Sequence, residues 1–149
     1  MSVQTIPKAE LHMHIDGAIE VSVAYDVVKK ACPERLDELF RTNADNVLEY
    51  NYDDFIGFLN CIDTVAPLVL QTPDDYEALT YGYLKSAAAE GLVYCEMIVC
   101  PGMWHTSADY DFSDMMAAFK RGIDRAEQDF GVYARCKATL ERGDSPEAV

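Results

Sequence analysis

Residues 9 to 16 alternate strictly between apolar and polar side chains. Ala9, Leu11, Met13 and Ile15 fall on one side, and Glu10, His12, His14 and Asp16 on the other. That period of two predicts a strand. Beyond it, Glu20 to Ala31 reads as a helix ended by Cys32-Pro33, and a short helix is expected over Pro33–Arg41, with Pro suited to a first turn. Thr42 to Tyr52 is polar and irregular. From Asp53 the spacing of Phe55, Phe58, Leu59, Ile62, Val65 and Ala66 is helical, with Pro67 near the end.

Thr72-Pro73-Asp74-Asp75 is a strong helix start, after which Tyr76, Leu79, Tyr83 and Ala87 recur at helical spacing and Gly91 closes the segment. Leu92 to Val99 is nearly continuously apolar, as in a parallel strand buried on both faces. Ser113 to Phe130 repeats the logic through Met116, Phe119, Ile123, Ala126 and Phe130. Gly131 follows, and Val132 to Leu140 makes a third strand. Helix then strand, twice over, is the pattern of βα units. It allows an open doubly wound sheet or a closed barrel. Repeats and linkers are absent, so no domain boundary is placed.

The polar side of the first strand carries the candidate chemistry. Two imidazoles at i and i+2 lie roughly 6.5–7 Å apart along the backbone and point the same way, so they can converge on one divalent ion. A carboxylate, Asp16, stands one step on, and Gly17 suits a turn where backbone approaches a ligand. A His-x-His pair can equally be a chance spacing, a surface pair or two separately satisfied histidines. Only three histidines occur in the chain, and two are here.

The string Pro7-Lys8-Ala9-Glu10-Leu11-His12-Met13-His14-Ile15-Asp16-Gly17-Ala18 resembles the first-strand signature of the adenosine deaminases, metal-dependent amidohydrolases built on (β/α)8 barrels. Gly91-Leu92-Val93-Tyr94-Cys95-Glu96 is similar to the family's second strand, and the likeness continues to the C-terminus. The resemblance selects the barrel over the open sheet. It implies a Zn2+ cofactor with His12 and His14 as metal ligands, and a substrate site at His14, Asp16 and Gly17. It implies that Asp16 holds a ribose hydroxyl. Phe58, Leu59 and Ile62 match an apolar gate over the purine; ordinary helix packing is the other account of them. The implied reaction is hydrolytic deamination of adenosine, and of deoxyadenosine, to inosine and ammonia in purine salvage. Relatives acting on free adenine tend to show Glu-Gly where this chain has Asp16-Gly17, which favours a nucleoside. A related aminopurine or aminopyrimidine deaminase, or a non-catalytic metal-binding remnant, are the alternatives.

In that family a third His, an acidic metal ligand, a second catalytic His and a general-acid Glu come from later strands, so no catalytic residue is expected within this chain. Glu96, inside an apolar strand, is expected to pair with a base for structural reasons. Glu10 is expected to face the barrel interior beside His12. His105, next to the sole Trp104, reads as a loop histidine. The family often has Arg where this chain has Ile98, which leaves the end of the second strand without a positive charge.

Length sharpens the picture. A (β/α)8 barrel takes about 250 residues, against 149 here with three good strands. Ser145-Pro146-Glu147 reads as a helix start. The expectation is an α/β chain, residues 1–149, forming the N-terminal portion of a TIM-type barrel cut at the start of a helix near Ser145. A net charge of −14 excludes nucleic-acid backbone binding. No window approaches a membrane span and no secretory signal is evident. Cys32, Cys61, Cys95, Cys100 and Cys136 are odd in number and unclustered, reading as buried free thiols in a cytoplasmic protein. The expected partner is a purine nucleoside, with no nucleic acid, membrane or protein partner inferred.

Overall fold

A computed structural model describes residue 3, residues 6–99 and residues 111–139. In chain order the elements are β1 (Lys8–His14), a 3₁₀ turn (Ile15–Ala18), α1 (Val21–Ala31), a 3₁₀ turn (Pro33–Arg35), α2 (Leu36–Leu39), β2 (Phe40–Thr42), β3 (Leu48–Tyr50), α3 (Phe55–Val69), α4 (Pro73–Ala89), β4 (Leu92–Val99), α5 (Phe112–Phe130) and β5 (Tyr133–Ala138). They form two compact units. One holds the chain up to Ala18 and from Thr72 onward; the other is Ile19–Gln71.

The first unit is built on a three-stranded parallel sheet in the order β1–β4–β5. Its helices start and stop on local signals. Thr72 caps α4 by accepting from the Asp75 amide while Asp75 reaches back to Thr72, and Asp111 and Asp114 do the same for α5. Gly131 ends α5 in the left-handed conformation at φ 71°. The two helices cross closely, with the Tyr76 and Phe119 rings 5.4 Å apart. A Cβ on Gly122 would stand 2.9 Å from the Glu77 carbonyl oxygen, so this glycine is required by the crossing. The buried stripes are Tyr76, Thr80 and Leu84 on α4 and Met115, Ala118, Phe119, Gly122, Ile123 and Ala126 on α5. Tyr76, Phe119, Ile123 and Ala126 are buried as expected, whereas Thr80, Leu84 and Met115 take the places expected of Leu79, Tyr83 and Met116, one residue aside. Cys95, Met97, Val99 and Ala134 are buried on the helix-covered face of the sheet.

The second unit departs further from expectation. The helix foreseen over Pro33–Arg41 ends at Leu39, and Phe40–Thr42 pairs antiparallel with Leu48–Tyr50. Asn43 makes that hairpin: its side-chain oxygen accepts from the Asp45 and Val47 amides, each at 3.0 Å. Asn46 takes φ 65°, a conformation Asn tolerates. Arg41 and Glu49, directly opposite, pair at 2.8 Å. Phe40 packs between Tyr25 and Tyr50, and Tyr50 donates to the Ile19 carbonyl at 3.0 Å.

Cys61 and Cys95 are buried free thiols as expected, whereas Cys32 and Cys136 are only half-buried. Cys100, His105 and the helix start at Ser145 lie outside the described residues. No helix among the described residues is long and apolar enough to cross a membrane.

Candidate functional site

The polar side of β1 is not the uniform face that alternation predicts. Glu10 is in register with Cys95 and Met13 with Met97, so three steps on β1 span two on β4. The extra residue is a β-bulge at Leu11–His12, and His12 takes it up at φ 68°. A bulge reverses which side of the sheet later residues face. Glu10 therefore lies on the helix-covered face, where it accepts the Tyr83 hydroxyl proton. This corrects the expectation that Glu10 shares the interior with His12. Met13 and Ile15 are buried, but Leu11 is exposed, so the apolar side is broken at the same place.

Beyond the bulge the histidines come together. His14 is in register with Ile98 on the open face, and its ring centre lies 5.4 Å from that of His12, the planes tilted by 43°. Two imidazoles sharing one tetrahedral zinc at Zn–N distances of 2.0–2.1 Å have ring centres about 5.2 Å apart. The pair thus fits one zinc ion. Among the described residues no group of three His, Cys, Asp or Glu side chains is placed to hold a metal.

Asp16 and Gly17 follow in the 3₁₀ turn at the C-terminal end of β1, where barrel enzymes gather their sites. Asp16 is buried. A Cβ on Gly17 would meet open space, so packing within the chain does not demand this glycine. Phe58, Leu59 and Ile62 sit on α3 in the other unit. The buried residues of α3 are Cys61, Val65 and Ala66, while Phe58 and Ile62 are half-buried and Leu59 exposed. Phe58 joins an aromatic cluster with Tyr52 and Phe55, and Phe55 and Ile56 are largely exposed. These side chains are a surface cluster of their unit, not its core.

The open face of β4 and β5 carries what sequence reasoning missed. Lys137 is in register with Ile98, and its ammonium pairs with Glu96, which also accepts from the Tyr94 hydroxyl at 3.0 Å. Lys137 first, then Tyr94, holds the Glu96 carboxyl below the usual carboxylate range. Glu96 thus has the basic partner expected of it. The strand end is not without positive charge, contrary to the expectation from Ile98: the cation comes from the neighbouring strand. Only the register of β5 against β4 reveals it.

The adenosine deaminase family model matches residues 7–149. The chain belongs to that family. An adenine deaminase of Sinorhizobium medicae is 34% identical over 149 residues, covering 97% of this chain and 42% of the relative. An uncharacterized deaminase of Schizosaccharomyces pombe is 31% identical over 134 residues, 38% of its length. The chain therefore spans about two fifths of these relatives. Among solved structures, an amidohydrolase from Burkholderia ambifaria with bound zinc matches with a TM-score of 0.76 at 25% identity, over 98% of this chain and 39% of that one. The N6-methyl-AMP deaminase of Arabidopsis thaliana shares the fold, with a TM-score of 0.72 at 18% identity over 98% of this chain and 43% of that one. The parallel strands and helices described above are an N-terminal α/β portion of the TIM-barrel amidohydrolase fold.

Proposed function

We propose that this chain supplies the first-strand corner of a zinc-dependent deaminase site that hydrolyses a 6-aminopurine nucleoside, adenosine in the first instance, the remaining groups coming from barrel strands not found among the described residues. The observation that carries it is the His12–His14 pair, set at the spacing of two ligands on one ion at the C-terminal end of β1. When bound there, zinc would supply Lewis acidity and an activated water at neutral pH. The chain's own residues do the rest. His12 and His14 hold the ion as neutral imidazoles. Asp16, one step beyond, accepts a hydrogen bond from a ribose hydroxyl, with His14 and Gly17 lining the same end of the strand. The free thiols suit a cytoplasmic setting.

A second reading has a specific support: several curated relatives at 34% identity are named adenine deaminases. In that case the free base is the substrate and Asp16 has no ribose to hold. Assaying the full-length protein on adenosine, adenine, AMP and N6-methyl-AMP separates these. Preferential turnover of adenosine is expected. In the same protein His12→Ala and His14→Ala should each abolish turnover and strip zinc, measured by metal analysis. Stoichiometric zinc in both variants would show that the pair is structural.

A further inference from the structure

Between Lys8 and Met13 the pairing of β1 with β4 slips and then recovers. Lys8 is in register with Leu92 and Met13 with Met97, the same number of steps on each strand. Inside that interval Ala9 and Glu10 pair one residue further on, with Tyr94 and Cys95. Val93 is passed over on β4, and the bulge at Leu11–His12 restores the register on β1. Unbroken pairing would set Glu10 opposite Tyr94 and His12 opposite Glu96, on the open face, with Leu11 on the helix-covered side. The apolar–polar alternation of residues 9 to 16 favours that straight strand. The observed strand instead leaves Leu11 63% exposed and His12 at φ 68°. A specific contact must hold the displaced residues.

The two ends of the interval are anchored by other means. The Lys8 amide donates to the Gly91 carbonyl at 2.8 Å, and its ammonium donates to the Val3 and Glu90 carbonyls. Met13 and Ile15 are buried. Between them, the Tyr83 hydroxyl on α4 donates to the Glu10 carboxylate. Lys8 lines the same groove as Glu10, Tyr83, Ser86 and Glu90, but main-chain carbonyls take up its ammonium. The Cys95 thiol opposite Glu10 is kept neutral by burial. Tyr83 is thus the group that draws Glu10 to the helix side.

We propose that Tyr83 is a positioning residue for the histidine pair: by holding Glu10 on the helix-covered face it imposes the displaced pairing, and with it the backbone turn from which His12 faces His14. The consequence for turnover rests on the deaminase reading above; the course of the strand does not.

The test uses variants of the full-length protein, read by crystal structure and by kcat on its preferred purine. Tyr83→Phe keeps the ring and removes the hydroxyl, whereas Glu10→Ala removes the acceptor. Each should show unbroken pairing from Lys8 to Met13 and a negative φ at His12, with kcat down about tenfold. The combined variant should do no worse than either single one, because both remove the same bond. Glu10→Gln still offers an oxygen to the hydroxyl, so it should keep the bulge and most of the activity. A bulge that persists in Tyr83→Phe or Glu10→Ala overturns the proposal. So does a straightened strand with the parent kcat, or a Glu10→Gln protein that behaves like Glu10→Ala. Should Tyr83→Phe fail to fold, Glu10→Ala decides, since Glu10 is exposed. Turnover that survives His12→Ala would instead sink the histidine reading, and the crystal structures would still judge what holds the strand.

Discussion

His12 spends conformational energy to stand beside His14. A non-glycine residue at φ 68° costs roughly 1–3 kcal/mol and persists where the surroundings over-determine it. The bulge gives that strain a use: the strand can send Glu10 to the helices while both imidazoles stay on the open face. Asp16 lies just past this point, buried in the turn, and its role can be separated from theirs. If it accepts from a ribose hydroxyl, Asp16→Asn should weaken turnover of adenosine while zinc content holds. A hydrogen bond to a charged group is worth about 1.5–3 kcal/mol, or roughly ten- to a hundredfold in kcat/KM. A nucleoside lacking that hydroxyl should lose much less, because the contact is already gone. Equal losses on the two substrates, with zinc falling in parallel, would make Asp16 a metal ligand instead. The histidine pair was legible from spacing because i and i+2 are local. The turn of Glu10 and the charge from Lys137 were not, since both follow from which residue of a neighbouring strand lies opposite.

The α4–α5 pair shows the same division among elements. Both helices were readable from the sequence, with Thr72-Pro73-Asp74-Asp75 marking one start and Gly131 one end, whereas the Asp111–Asp114 cap of α5 was not read. The hairpin Phe40–Tyr50 was not, because its strands are three residues each and its turn is set by one Asn side chain rather than by a Gly-containing pair. Electrostatics ties α4 to α5 through Glu77, which accepts from Arg121 at 2.7 Å and Arg125 at 2.8 Å. The Arg121 hydrogen bond first, then that of Arg125, holds its carboxyl below the ordinary value of 4.5. A depressed folded-state pKa contributes stability that is present above the unfolded value and lost as pH falls through the folded one. Melting should therefore drop as pH is taken from 5 to about 3, and Glu77→Gln should flatten that part of the curve while lowering melting at neutral pH. An unchanged acid limb in the variant would show that Glu77 does not link the helices. The size is modest, since both arginines are half-exposed.

At the scale of the molecule, the sheet has two outer strands, β1 and β5, each paired on one side only among the described residues. A closed barrel has no such edges, and unpaired strand edges are templates for association. The open face carries Tyr133, Arg135 and Lys137 exposed, side chains that a barrel interior would cover. Among the described residues no group of three His, Cys, Asp or Glu side chains is placed to hold a metal. The 149-residue chain on its own should therefore bind zinc weakly and turn over none of adenosine, adenine or AMP above a His12→Ala control. It should also self-associate, detected by light scattering at micromolar concentration. Joining it to the remaining three fifths of a relative's barrel should suppress association and raise zinc affinity together, because the same strands that cover the edges bring the missing ligand. A monomeric, cooperatively melting chain that deaminates a purine unaided would show that the strands described here already contain a complete site.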